Sequence, residues 1–122
     1  MNLETITLDD VEYVRKDSIG KMADEVDGMK YCVVRTYSAG VHIGYVKEFA
    51  VKHPQQATLI KSRRLHSWDK ACSLSQVAMD GVGDGSRIAM EIPEITLTDV
   101  VEVIPCSEKS ATFFKGVKIW KK

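Results

Sequence analysis

Two β-rich runs separated by three small residues constrain the fold of this chain more than any other feature. Residues 29–37 read MKYCVVRTY and residues 41–49 read VHIGYVKEF, and both are dense in β-branched and aromatic side chains. Between them lie Ser38, Ala39 and Gly40, of which the glycine can adopt a positive φ. The two runs therefore predict a β-hairpin with a three-residue turn.

Further β-rich segments follow along the chain. Residues 57–64 predict a third strand, and residues 87–92 and 95–104 predict a later pair joined by a turn at Pro93 and Glu94. Because sequential strands usually pair when their connections are short, we expect the first three strands to be consecutive antiparallel neighbours.

Helix is the minor component of the predicted fold. Ser73 precedes Gln76 at the spacing of a capping box, and the short helix that follows, over 73–79, should end at Gly81. A second short helix is expected over 107–115, beginning at Ser107.

Two segments near the N-terminus leave alternatives open, since residues 5–14 fit one or two edge strands and residues 17–27 fit a short helix or a loop. The pattern of elements predicts an α+β fold that is mainly antiparallel β. We expect about five to seven strands in a curled sheet or partial barrel with two short helices. With 122 residues, the chain is expected to form a single domain over 1–122.

Charge and composition exclude several classes of function. Lys+Arg and Asp+Glu are both 17, and this balance argues against binding to DNA or RNA. No apolar run approaches the roughly 18 residues of a membrane-spanning helix, so no membrane association is expected. Cys32, Cys72 and Cys106 lack CxxC spacing and are expected to be reduced cysteines of a cytosolic protein.

The sequence shows no catalytic or metal-binding motif. No GxSxG, P-loop or GxGxxG pattern is present, and the three histidines have no metal-ligand spacing. The glycine-rich run GVGDGS at 81–86 lacks the lysine of a P-loop and should turn the chain between a helix and a strand. We therefore expect no catalytic residues, no metal, no cofactor and no enzymatic activity.

The first candidate site lies in the predicted hairpin. With a three-residue turn, Arg35 faces Ile43 and lies among Tyr31, Tyr37 and Tyr45. A guanidinium beside phenol rings can stack on a base or bind a phosphate. The alternative interpretation is an arginine packed over surface tyrosines.

The other face of the same hairpin carries His42 opposite Thr36, and Gly44 opposite Val34. A glycine in the middle of a strand leaves a gap that a ligand or another backbone can approach. The alternative is a glycine at a bend of the sheet.

A second candidate cluster reads KSRRLHSW. Arg63 and Arg64 are adjacent on a strand and must point to opposite faces, so one of them can join Arg35. Arg64, His66 and Trp68 share a face if the strand continues, and Trp68 offers a flat stacking surface. The alternative is a strand end with solvated charges and a half-buried tryptophan.

Four blocks of the sequence occur in order between Tyr31 and Cys106 and resemble a family of small phage and prophage proteins. Members of that family carry a run close to RTYSAGVHVG, then ARR with one or two tryptophans, then strands ending near EIIPC. The corresponding blocks here read RTYSAGVHIGYV, KSRRLHSW, SLSQVAMDGV and EIPEITLTDVVEVIPC. The pattern is similar to that of the Thoeris anti-defence sponge proteins of phages. Those proteins bind the cyclic ADP-ribose isomer made by host TIR-domain enzymes, and some form hexamers that hold cyclic oligonucleotides at a separate site.

The resemblance implies that Arg35 and Arg64 contact phosphate or ribose, with the turn at 38–40 nearby. The chain departs from the family at His66, which stands where the family has a tryptophan, whereas Trp68 is kept. The complete candidate ligand-binding set is Arg35, Ser38, Ala39, Gly40, His42, Arg64, His66 and Trp68.

These observations favour a protein that sequesters a cyclic nucleotide-type signal without catalysis, in the host cytoplasm. Two arginines can bind a pyrophosphate through charge-assisted hydrogen bonds. We expect a homo-oligomer, either a dimer or a hexamer, because a second subunit often completes such a pocket. The alternative is a phage structural or accessory protein, such as a virion decoration domain, in which the arginines are interface anchors. A hydrolase of the same signal is a weaker third possibility.

Overall fold

A computed structural model describes residues 21–50 and 55–120 of the chain. The predicted strands at 5–14 lie outside the described residues, as does the first part of the ambiguous segment 17–27. The described elements, in chain order, are β1 (Lys30–Thr36), β2 (Val41–Ala50), β3 (Gln56–Ser67), α1 (Leu74–Asp80), β4 (Arg87–Ile88), β5 (Ile92–Leu97), β6 (Val100–Pro105) and α2 (Glu108–Gly116).

The six strands form one antiparallel sheet with the order β4-β3-β2-β1-β6, and β5 also pairs with β3. The first three strands are consecutive antiparallel neighbours, as the short connections predict. The α+β class, with mainly antiparallel β structure and two short helices, is confirmed.

The sheet is curled but not closed into a barrel. Strands β5 and β6 are separated only by Thr98 and Asp99, although β5 pairs with β3 and β6 pairs with β1. In a flat sheet these two strands would be about 19 Å apart, at about 4.8 Å per neighbouring pair. Three residue steps span at most about 11 Å. The sheet must therefore bend, and the Val100 amide donates to the Gln55 carbonyl at 3.2 Å.

Both helices pack on one face of the curled sheet, which we call the outer face. The helices begin where predicted, because Ser73 accepts from the Gln76 amide at 3.2 Å and Ser107 accepts from the Ser110 amide at 3.1 Å. The apolar core under the helices consists of Tyr31, Val33, Ile43, Tyr45, Leu65, Val77, Ala78, Ile88, Cys106, Ala111 and Phe114.

The opposite face, which we call the inner face, lies inside the curl. It holds a second and smaller apolar cluster formed by Cys32, Val34, Ala57, Leu59, Leu97 and Val100. The sheet is thus buried on both sides, which explains why β1 reads as a nearly continuous apolar run.

The predicted hairpin register is wrong by two residues. Arg35 lies opposite Val41 rather than Ile43, and β1 ends at Thr36, so four residues connect the strands. The cause is Thr36, whose hydroxyl accepts from the Ala39 amide and donates to the Gly40 carbonyl, both at 2.8 Å. Because a slip of two residues preserves side-chain alternation, the predicted faces are correct although the predicted pairs are not.

The predicted strand at 95–104 is two strands, and the turn predicted at Pro93 and Glu94 is wrong. Both residues lie within β5, an edge strand whose described pairing is with β3, where a proline is tolerated. The chain turns instead near Asp99, whose carbonyl accepts from the Tyr37 amide at 2.9 Å. That contact anchors the β5–β6 connection to the hairpin loop.

The strand predicted at 87–92 shortens to the two residues of β4, whereas the strand predicted at 57–64 extends through Ser67. The glycine-rich run at 81–86 connects α1 to β4, as predicted. A side chain at Gly83 or Gly85 would collide with the carboxylate of Asp69, and the Gly83 amide donates to the Asp69 carbonyl. The glycines therefore serve close packing around Asp69.

Candidate functional site

A groove of about 250 Å³ opens on the inner face and joins three of the predicted ligand-binding residues. His42 of β2 lies directly opposite Arg64 of β3, and His66 follows two positions later on the same strand. Residues at the beginning of β5 and the segment before it form the other wall. The complete lining is His42, Ser62, Arg64, His66, Ala89, Met90, Ile92 and Ile95.

Of the three predicted residues that line the groove, His42 is the buried one, with 1% of its surface exposed. Its Nε2 contacts the Ala39 carbonyl at 2.9 Å, and because a carbonyl only accepts, Nε2 carries the hydrogen and donates it. Burial lowers the pKa of His42, the Ala39 carbonyl raises it, and Arg64 and His66 lower it further. A neutral imidazole thus connects the hairpin loop to the groove.

Ser62 is a site residue that the sequence analysis missed. Its hydroxyl is buried, has no hydrogen-bond partner among the described residues and lines the groove. A buried hydroxyl without a partner is uncommon, and a ligand in the groove would provide one. Nothing in the sequence distinguishes Ser62 from the other serines.

A bulge in β3 determines where Ser62 lies. Lys61 has a φ of 55°, and the pairing of β2 with β3 shifts at this point. An added Cβ at Gly44 would lie 3.1 Å from both the Ile60 carbonyl oxygen and the Ser62 Cα. Of the two uses predicted for Gly44, the structure therefore shows the close approach of another backbone.

Arg64 and His66 are both exposed at the groove. None of the salt bridges formed among residues 21–50 and 55–120 involves Arg64. The His66 ring lies 5.2 Å from the ring of Trp120, between centroids. Trp68 lies beyond the end of β3, is 36% exposed and does not line the groove.

Arg35 lies on the outer face, away from the groove. Its side chain is half exposed and forms an ion pair with Glu102 at 3.6 Å. The predicted placement of this arginine over the tyrosines is wrong, because Lys115 of α2 occupies that position. Its Nζ lies 5.1 Å from the ring of Tyr31 and 5.0 Å from that of Tyr45.

The arginine that shares the outer face with Arg35 is Arg63, and its role is structural. Arg63 pairs with Ile43 in the sheet and has 4% of its surface exposed. Its guanidinium donates to three backbone carbonyls, those of Ala89 at 2.7 Å, Phe114 at 2.7 Å and Val117 at 3.0 Å. It therefore fixes the end of α2 against the sheet.

The turn residues are held by contacts within the fold and do not line the groove. Ser38 donates its hydroxyl hydrogen to the carboxylate of Asp99 at 2.6 Å, and Gly40 has a φ of 86°. Ala39 packs against the inner apolar cluster and reaches the groove only through its hydrogen bond to His42.

Two of the three cysteines are buried, and none is in a disulfide. Burial raises the pKa of the Cys32 thiol to about 11 and that of Cys106 to about 12, so both remain protonated at neutral pH. Across residues 21–50 and 55–120, no group of three His, Cys, Asp or Glu side chains could hold a metal ion. No helix in the described part of the chain is long and apolar enough to cross a membrane.

Comparison with known proteins places this chain in a family. No curated protein and no solved structure matches it. A family model described as a domain of unknown function, DUF6948, matches residues 29–114, which include every described strand and most of α2. The match covers more than half of the chain, and the chain therefore belongs to the DUF6948 family.

Proposed function

We propose that the inner-face groove binds a small anionic ligand of the cyclic nucleotide type and that the protein sequesters this ligand without converting it. The observation that carries the proposal is the meeting, in one groove, of the Arg64 guanidinium and the Ser62 hydroxyl, which has no partner in the described part of the chain. The guanidinium supplies charge-assisted hydrogen bonds to a phosphate, and the hydroxyl supplies a directed one.

The groove provides binding groups of several kinds. His42 is buried and uses its Nε2 hydrogen on Ala39, which leaves Nδ1 of the neutral ring as a hydrogen-bond acceptor. Ile92 and Ile95 provide an apolar wall beside the cation. Small-molecule sites commonly combine apolar walls with a few such polar groups. The resemblance to phage sponge proteins supports a cyclic ADP-ribose isomer as the ligand and the host cytoplasm as the place of action.

The position of Arg35 bears on the proposed oligomer. Arg35 lies on the outer face, so it would meet a ligand in the groove only from a second copy of the chain. A dimer or hexamer in which the outer face of one subunit meets the groove of another would unite Arg35 and Arg64. Light scattering with and without ligand, on the wild type and Arg35→Ala, tests this arrangement.

The decisive experiment is a recovery assay. The protein is incubated with cyclic ADP-ribose isomers, free ligand is removed, the protein is heat-denatured, and the released compounds are analysed by chromatography. We expect intact ligand from the wild type and little from Arg64→Ala, while Lys47→Ala, which removes an exposed cation on β2, should retain the ligand.

Other results would contradict the proposal in different ways. Recovery of a chemically changed compound in place of the added ligand would show that the protein is an enzyme. The absence of any retained ligand would favour the alternative, a phage structural or accessory protein.

A further inference from the structure

A second cavity, of about 550 Å³, lies beside the groove and is not used by the function proposed above. It is formed by the segment that leads into β4 and by the chain that follows α2. Its chemically distinctive residues are the cations Arg87 and Lys118, the carboxylate of Asp84 and the indole of Trp120.

The cavity and the groove meet at the contact between His66 and Trp120. His66 lines the groove, Trp120 lines the cavity, and their ring centroids are 5.2 Å apart. The Trp120 amide donates to the Ile88 carbonyl at 2.9 Å, which holds the last described residue against β4. This ring contact therefore joins a residue of the groove to a residue of the cavity.

Strand β4 connects the same two spaces along its backbone. Arg87 lines the cavity, Ala89 lines the groove, and Ile88 between them is buried under the helices. Because side chains alternate along extended chain, Arg87 and Ala89 both point away from the outer face. Residues two positions apart on a strand are about 7 Å from each other, which is within the length of one nucleotide.

We propose that the groove and this cavity form one elongated site, so that the ligand of the proposed function carries a second, planar part that stacks on Trp120. This inference rests on the proposed function and specifies its ligand as a compound with two linked halves. The groove, at about 250 Å³, is smaller than the roughly 300–1,000 Å³ of typical small-molecule sites, whereas the adjoining cavity, at about 550 Å³, lies within that range. A nucleotide-sized ligand held at Arg64 would therefore need the space of the cavity as well.

The chemistry of the cavity matches a nucleoside bearing a second negative charge. The Arg87 guanidinium lies 5.4 Å from the centroid of the Trp120 ring and forms a cation–π contact with the indole. Arg87 and Lys118 are both exposed, and none of the salt bridges among the described residues engages either. Asp84 lines the same cavity, and a carboxylate is a suitable acceptor for the hydroxyls of a ribose.

Two probes of different length test the elongated site. Cyclic ADP-ribose carries two phosphates, two riboses and an adenine, whereas ribose 5-phosphate is short enough to occupy the groove alone. Isothermal titration of both probes is compared for the wild type, Trp120→Leu, Arg87→Ala and Arg64→Ala. Trp68→Leu is the matched control, because Trp68 is exposed to nearly the same extent as Trp120 but lines neither space.

We expect Trp120→Leu to lower the affinity for cyclic ADP-ribose about 10- to 100-fold, which corresponds to the loss of one base-stacking interaction. Arg87→Ala should also lower the affinity for cyclic ADP-ribose. Both variants should bind ribose 5-phosphate with an affinity within about 2-fold of the wild type. Arg64→Ala should lower the affinity for both probes, and Trp68→Leu should lower the affinity for neither. In a Trp68→Phe background, the remaining tryptophan at 120 should change its fluorescence with cyclic ADP-ribose and not with ribose 5-phosphate.

The outcomes separate the two proposals. If Arg64→Ala abolishes binding of cyclic ADP-ribose while Trp120→Leu and Arg87→Ala do not change it, the elongated site is wrong and the proposed function stands. If the wild type binds neither probe, both are wrong. If only the variants in the cavity lose binding, the groove is not the site and both proposals fail in their present form. Circular dichroism of each variant verifies that it is folded.

Discussion

The two faces of the sheet use neighbouring arginines in opposite ways. Arg63 points to the outer face, where α2 covers it and three backbone carbonyls accept its hydrogen bonds. Arg64 points to the inner face, where it lines an open groove and forms no salt bridge with the described residues. Strand alternation separates the two side chains, but what covers each face decides which one is structural and which one can bind a ligand.

The same contrast applies to the groups around each arginine. On the outer face, the cation of Lys115 lies over Tyr31 and Tyr45, and Arg35 is paired with Glu102. On the inner face, the Ser62 hydroxyl is buried without a described partner. The outer face has thus largely paired its cations within the protein, although Nη2 of Arg63 is also buried without a described partner. The inner face differs because its unpartnered hydroxyl lines a groove.

The largest expected effect is on stability and comes from Arg63→Ala. The substitution leaves three backbone carbonyls, one buried and two partly buried, without their donor, and each such loss costs about 1–3 kcal/mol. We expect the free energy of unfolding to fall by about 3–5 kcal/mol, measured by urea denaturation. Arg64→Ala is the matched control and should change it by less than about 0.5 kcal/mol. Equal losses of unfolding free energy in the two variants would show that Arg63 is no more important to the fold than Arg64.

The next largest effect is on ligand affinity, where the Arg64 variant, rather than the Arg63 variant, is expected to show the loss. Loss of one charged partner in a binding site costs about 2–4 kcal/mol of binding free energy. Arg64→Ala should therefore lower the affinity for cyclic ADP-ribose roughly 30- to 1,000-fold while the protein remains folded. The measurement is isothermal titration calorimetry. Unchanged affinity would exclude Arg64 from the site.

Arg35→Ala sharpens this result. If one subunit forms the whole site, Arg35→Ala should bind within about 2-fold of the wild type, because Arg35 faces away from the groove. A loss as large as that of Arg64→Ala, in a protein that scatters light as an oligomer, would show that a second copy supplies Arg35.

Much of the fold could be predicted from the sequence because the signals are local. The first three strand runs and the capping serines at 73 and 107 each act over a few residues, and these are found in the structure. The later runs were less informative, since the strand predicted at 95–104 is two strands and the turn predicted at Pro93 and Glu94 is wrong. The register failed because Thr36 closes the loop with its side chain, a contact that competes with the next ladder pair.

The site was predicted only in part, for a different physical reason. Alternation correctly places Arg64 and His66 on one face of β3, where both line the groove. The expected meeting of Arg64 with Arg35 does not occur within one subunit, because Arg64 lies opposite His42 on the inner face and Arg35 lies on the outer face. Trp120 could not be predicted, because its position depends on Arg63 holding the end of α2 and on a backbone hydrogen bond to Ile88. These contacts join residues more than thirty positions apart.

A smaller effect on stability is expected from Gly44→Ala, which tests how the bulge forms the groove. The new methyl group would lie 3.1 Å from the Ile60 carbonyl and from the Ser62 Cα, both of which are backbone atoms. Overpacking of this kind costs about 1–3 kcal/mol, measured by urea denaturation. Gly116→Ala is the matched control, since an added Cβ there meets nothing within 4 Å, and it should be neutral or slightly stabilising. A neutral Gly44→Ala would show that the bulge moves freely and does not hold Ser62 in place.

The smallest effect concerns His42 and pH. Burial lowers the pKa of His42 in the folded protein below the value of about 6.5 expected when unfolded. Above that value the imidazole is neutral in both states and stability is unaffected. As the pH falls below about 6.5, the unfolded chain gains a proton that the folded protein resists, so stability decreases by at most about 1.4 kcal/mol per pH unit. His42→Gln cannot titrate at this position but can still donate a hydrogen bond to the Ala39 carbonyl. Urea denaturation from pH 7.5 to 5 should therefore show a steeper loss for the wild type than for His42→Gln, and parallel curves would mean that the inner face accepts a charged imidazole without cost.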